Sequence, residues 1–155
     1  MRILGIDPGN SMTGYAVIEM PQLKLIEFGK VDNEVFIEKL PSIKEDHTAI
    51  EYIASYGMPV GKDVFDTCVW IGRFIERLFP TIPTYIFRRD EKLELCGNPR
   101  AKDANIRQAL INRFATFDFK NGKGTKKQQD VFYGVSKDVW SAIAVAVTYY
   151  DLYIF

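Results

Sequence analysis

Histidine occurs once in the 155 residues, as His47, and cysteine twice, as Cys68 and Cys96. One histidine leaves almost nothing for a His-rich zinc site or a histidine-based nucleophile. The cysteines form no CxxC pair and show no metal-ligand spacing. Cys68 falls in an apolar helical pattern and is expected to be a buried thiol. No apolar run reaches the roughly 20 residues that span a bilayer, so no membrane association is expected. Arg2 followed at once by a strand-like run does not make a signal peptide. The formal net charge is zero, so no global pull towards nucleic acid exists. These absences point to a soluble, cytoplasmic protein.

What is present is ample apolar content. The chain is 47% hydrophobic and 14% aromatic, enough for a core, and its length suits a single domain over residues 1–155. Charge is segregated along it. Residues 88–127 hold eleven Lys or Arg against five Asp or Glu, whereas residues 1–51 hold five against nine. Such a division suits a site that gathers cations in one place and phosphates beside it.

The opening "MRILGIDPGNSMTGYAVIE" reads as a hairpin with strands at 2–7 and 13–19, turned by Pro8, Gly9 and Asn10. A third strand is expected at 23–31 and a fourth at 47–55. Residues 32–46, which carry Pro41, read mostly as a connection too short for a full helix with two loops. In 62–79 the apolar residues Val64, Phe65, Cys68, Ile71, Gly72, Ile75 and Leu78 recur at three and four, which predicts an amphipathic helix ended by Pro80. Residues 84–89 predict a short buried strand. A further helix is expected to start at Asn98 as N-cap with Pro99 in its first turn. The Gly-containing basic stretch 118–130 reads as a mobile loop. The last helix should begin at Ser136 and pack through Val139, Ala142, Ile143, Ala146, Val147 and Tyr150. Antiparallel strands followed by strands alternating with helices predict a mixed α/β sheet covered by helices.

Three carboxylates stand out against this frame. Asp7 ends the first strand at a tight turn, where it either caps the turn or points into a site. Glu51 interrupts an otherwise core-like strand, an expensive place for a lone charge. Asp138 lies in the first turn of the very apolar last helix, where it also complements the helix dipole. Hard oxygen ligands from separate elements suit Mg²⁺, with Mn²⁺ as substitute. Two such ions roughly 3.5–4 Å apart can activate water and stabilise the leaving oxygen of a phosphodiester.

"GIDPGNSMTGYAVIE", "AIEYI" and "KDVWSAIAVAVTYYD", in that order and spacing, resemble the RuvC-type Holliday junction resolvases of the RNase H-like superfamily. The resemblance implies a five-stranded mixed sheet in order 3-2-1-4-5. It implies Asp7, Glu51 and Asp138 as metal ligands, and paired nicking of four-way DNA by a homodimer. "GNPRAKDANIRQAL" is similar to the family's Gly-Asn-Gly-Arg-Ala-x-Lys segment, although Lys102 comes one residue early, with Asp103 in the usual lysine place. Where the family carries a second carboxylate on the last helix this chain has Ser141, a supporting position without charge. The aromatic that usually follows the strand-four glutamate by three residues is Ala54, leaving Tyr52 or Tyr56 to stack on bases. The trimmed region before strand four resembles phage-encoded members, so a bacterial cell or a phage-infected host cell is the implied setting. Arg88, Arg89, Lys92, Arg100, Lys102, Lys123, Lys126 and Lys127 are the expected DNA contacts. Phe65, Trp70, Phe74 and Phe79 on helix 62–79 are the expected dimer surface. Nothing in the sequence identifies a branch-migration motor as partner. Two alternatives remain open: a related nuclease acting on RNA–DNA hybrids or other branched DNA, and a non-catalytic junction-binding protein; an actin-like ATPase would need a second such domain and a second phosphate loop, for which 155 residues leave no room.

Overall fold

The computed structural model describes residues 1–155. Five strands form one sheet in the order β3-β2-β1-β4-β5, with the expected topology. They are β1 (Arg2–Asp7), β2 (Met12–Glu19), β3 (Lys24–Asp32), β4 (His47–Tyr52) and β5 (Thr84–Phe87). β1, β2 and β3 run antiparallel in sequence, while β4 joins β1, and β5 joins β4, in parallel. The helices are α1 (Asn33–Lys39), α2 (Lys62–Leu78), α3 (Arg88–Cys96), α4 (Asp103–Phe114) and α5 (Lys137–Tyr149).

The strands bury both faces, which follows from their near-continuous apolar runs. One face packs Ile3, Ala16, Ile18, Ala49 and Ile86 under α5 and α4. The other packs Leu4, Ile6, Tyr15, Val17 and Ile50 against α1 and α2. α5 lies closest to the sheet. A Cβ added at Gly5 would stand 2.1 Å from the Ala142 carbonyl oxygen, and one at Gly14 2.5 Å from that of Asp138. Two glycines therefore let the helix backbone settle onto β1 and β2, carrying Asp138 with it. Every residue from Val139 to Tyr149 except Ser141 is buried, a broader face than the expected stripe, because α4 and the 115–136 segment cover the outer side of α5; Tyr150 is only half-buried.

Several expectations need correction. Residues 32–46 do hold a helix, the two-turn α1, followed by a 3-10 turn at Leu40–Ser42. Phe36 and Leu40 anchor it in the core, and that burial offsets its short length. α1 also holds the Asp7 turn: buried Asn33 accepts from the Thr13 hydroxyl at 2.6 Å and donates to the Gly9 carbonyl at 2.9 Å. α2 buries Thr67, Ile71, Phe74 and Leu78, a face rotated from the one the spacing predicted. Phe74 is core, and Cys68 is exposed rather than a buried thiol. β4 ends at Tyr52, short of the expected residue 55, and β5 ends at Phe87 because α3 begins at Arg88. Asn98 caps no helix; its side chain accepts from the Arg100 N–H in a turn, and α4 starts later, after Lys102. The basic loop is dense in hydrogen bonds rather than slack. The Asp118 carboxylate accepts from the N–H groups of Asn121, Lys123 and Gly124. The buried Asp130 carboxylate accepts from the backbones of Thr116, Phe117, Asp118 and Val131.

Candidate active site

The strand register builds the site. Ile6 pairs with Ile50 across β1 and β4, so the next residues along, Asp7 and Glu51, stand side by side at the carboxyl ends of two parallel strands. α5 delivers Asp138 and Ser141 from above. These four side chains line one cavity of about 250 Å³ together with Arg88, Asp103, Ile106, Arg107, Lys137 and Trp140. The structure thus brings Asp7, Glu51, Asp138, Ser141 and Arg88 together as the sequence implied.

The carboxyl groups are electrostatically frustrated. Burial, then a hydrogen bond with Glu51 and repulsion from its charge, push Asp7 up to about 9. Burial also raises Glu51, to about 7. Behind it stands Glu91, fully buried on α3 and itself raised by burial to about 7. Arg88 faces this group: its Nη1 donates to Glu91 Oε1 at 3.1 Å and lies 4.0 Å from Glu51 Oε1, while Nη2 contacts Asp103. Glu91 Oε2 has no hydrogen-bond partner. On the far side, Lys30 Nζ lies 2.5 Å from Asp138 Oδ2.

No group of three or more His, Cys, Asp or Glu side chains converges closely enough to hold an ion as the side chains stand. The donor set nevertheless fits a hard divalent cation. All the donors are carboxylates and they come from rigid elements, and burial raises Asp7 and Glu51 in a way a bound cation would offset.

The expected DNA contacts divide. Lys123 lines a groove with Arg107, Gln108, Lys120 and Gly124, which joins the acidic cavity through Arg107 and Trp140. Lys126 and Lys127 lie further along the same loop and are exposed. Tyr52 and Tyr56 line a second recess that shares Glu51 and Arg88 with the site. Tyr52 already stacks on Tyr85, with ring centres 4.6 Å apart. Arg89, Lys92, Arg100 and Lys102 line neither the cavity nor the groove. Lys102 ends the turn before α4, while Asp103 takes the place in the cavity and is occupied by Arg88.

Sequence reasoning missed Glu91, Lys30, Arg107 and Lys137. Arg88 and Glu91 at i, i+3 are a helical pair, a signal hidden by reading 84–89 as strand. Lys30 becomes visible only in register, because it pairs with Gly14, which pairs with Asp7.

No protein-family model matches the chain. The crossover junction endodeoxyribonuclease RuvC of Caldicellulosiruptor saccharolyticus is 34% identical over 62 residues, 38% of this chain and 37% of that protein, so the match spans little more than a third of the curated relative. Among solved structures, T. thermophilus RuvC in complex with Holliday junction substrate superposes with a TM-score of 0.70 at 15% identity, over 96% of this chain and 92% of that one. Thermus thermophilus RuvC superposes at 0.69 and 17% identity, over 97% and 95% of the two chains. The Fowlpox virus resolvase with its Holliday junction DNA superposes at 0.56 and 16% identity, over the full length of both. The chain has the RNase H-like fold of these resolvases.

Proposed function

We propose that the protein is a metal-dependent endonuclease that resolves four-way and related branched DNA by paired nicking, with residues 1–155 acting as one nuclease domain. The observation that carries this reading is the convergence of Asp7, Glu51 and Asp138 on one cavity that opens into a basic groove. The similarity to junction-bound resolvases supports the choice of DNA.

Asp7, Glu51 and Asp138 would hold Mg²⁺, or Mn²⁺ in its place. When bound, the ion supplies an activated water and charge stabilisation for the leaving oxygen of the phosphodiester. A second ion, expected from the sequence, would need Asp138 free of Lys30. Glu91 and Arg88 hold Glu51 in position from behind. Ser141 sits one helical turn beyond Asp138 and offers a hydroxyl to solvent in the cavity. Arg107 and Lys123 guide the phosphate backbone along the groove, and Tyr52 and Tyr56 offer a wall for unpaired bases. The protein acts as a homodimer, because two symmetric nicks need two sites related by a two-fold axis.

A labelled static four-way junction incubated with and without Mg²⁺ tests the reading. Symmetric paired nicks that require the ion support it. Binding without cleavage under any divalent cation would favour a non-catalytic junction-binding protein, a reading to which Ser141 and the Lys30–Asp138 pair lend weight. Faster cleavage of an RNA–DNA hybrid would move the substrate elsewhere.

A further inference from the structure

We propose that Lys30 is a built-in cation on the Asp138 side of the site, so that each chain takes a single divalent ion, centred on Asp7 and Glu51. The inference rests on the metal-dependent reading above. It starts from the sheet register. Lys30 on β3 pairs with Gly14 on β2, and Gly14 pairs with Asp7 on β1. Directly opposed residues point to the same face, so Glu51, Asp7 and Lys30 stand in one row across the sheet beneath the start of α5. Gly14 has no side chain to intervene, and Asp138 rests its backbone in that gap. Lys30 reaches over the same gap and places Nζ 2.5 Å from Asp138 Oδ2.

The two side chains are 42% and 37% exposed, so solvent screens the contact and the pair adds little stability. Its consequence is positional. β3 tethers a unit positive charge in the recess that Asp7, Gly14 and Asp138 line, so a further cation entering there meets a like charge, and like charges at such distances repel. The neighbouring helix position that could offset this charge is Ser141, which carries none. The wider balance agrees. Five carboxylates, Asp7, Glu51, Glu91, Asp103 and Asp138, face four cations, Lys30, Arg88, Arg107 and Lys137. One divalent ion plus one phosphate brings this set to neutrality, whereas two ions would leave a positive excess.

The test is a count of bound Mn²⁺ by electron paramagnetic resonance of the free ion, on the full chain without DNA. The native protein, Lys30→Met and Lys30→Arg are compared, with thermal melts confirming that each is folded. The expected result is one Mn²⁺ per chain for the native and Arg proteins. Lys30→Met should take up a second, at least ten-fold tighter than any second binding by the native chain. Two ions in the native chain, or an unchanged count in Lys30→Met, overturns the proposal. Cleavage of the four-way junction is measured in parallel. A native chain that holds one ion but cuts no DNA sinks the nuclease reading alone; one that cuts with two ions bound sinks this proposal alone. Binding of no ion sinks both.

Discussion

Asp7, Glu51 and Glu91 crowd three carboxyl groups around one guanidinium, and a bound cation relieves what that crowding costs. Replacing Asp7 by Asn keeps the shape and removes a charge that repels phosphate. Asp7→Asn should therefore abolish nicking while junction binding in a gel-shift assay stays equal or tightens; near-native cleavage would reduce Asp7 to a turn residue. The same crowding sets a pH dependence. Folding raises all three groups above the roughly 4 of an unfolded carboxyl. Their stabilising share is fully present only below about pH 4, falls as pH rises from there, and is lost by about 7 for Glu51 and Glu91 and by about 9 for Asp7. Melting temperature in EDTA should fall between about pH 4 and pH 9, most steeply below about pH 7 where all three groups contribute, by about 2–4 °C for each kcal/mol lost, and Mg²⁺ should flatten the decline. An identical slope with and without Mg²⁺ would show that the ion does not replace those protons.

Elements carry these residues, and two of them make separate predictions. α5 can approach β2 only because Gly14 lacks a Cβ. Gly14→Ala should push the Asp138 turn outward, cost about 1–3 kcal/mol as an overpacked site, and lower cleavage more than junction binding. Urea unfolding and single-turnover nicking measure the two effects. The basic loop is held in shape by Asp118 and Asp130, so its lysines present a preformed surface. Changing Lys123, Lys126 and Lys127 together to Ala should weaken junction binding and flatten its salt dependence by up to about 2–3 units, at about 0.9 per phosphate contact. An unchanged slope would place the DNA on another surface.

At the scale of the whole molecule, α2 leaves an apolar face open. Phe65 and Val69 on α2 and Phe79 just past its end are 61%, 62% and 74% exposed, and Phe65, Cys68, Val69 and Gly72 recur along the helix at three- and four-residue spacing. Val69, Gly72 and Phe79 border a groove with Ile37 of α1. A contiguous exposed apolar face of this kind marks a candidate interface, and for the proposed homodimer it offers Phe65, Val69 and Phe79 in place of the set expected from the sequence. Phe74 is spent in the core, and Trp70 is half-buried beneath Arg73, with the guanidinium 4.0 Å above its ring. Phe65→Glu should convert a dimer to monomer in sedimentation velocity at micromolar concentration and remove paired nicking while single nicks persist. A native monomer, with and without DNA, would contradict the assignment.

The strands of the hairpin and the places of Asp7, Glu51 and Asp138 in the chain's elements were determined by sequence alone, because local patterns encode them: alternation and turns for the strands, and charges set in apolar runs for the carboxylates; the strand order 3-2-1-4-5 followed from the resemblance to RuvC-type resolvases. Helix phase was not encoded this way. The spacing in α2 fits two overlapping faces, and only packing against Phe36 and Leu40 selected the one through Phe74. α1 and α3 were invisible for a similar reason, since short polar helices draw their stability from what they touch rather than from propensity. The partners of the site residues were decided by tertiary structure as well. Lys30, Glu91 and Asp138 are far apart in the chain; sheet register and the glycine-lined approach of α5 bring Lys30 against Asp138, while α3 sets the buried Glu91 beside Arg88 on the other side of the site.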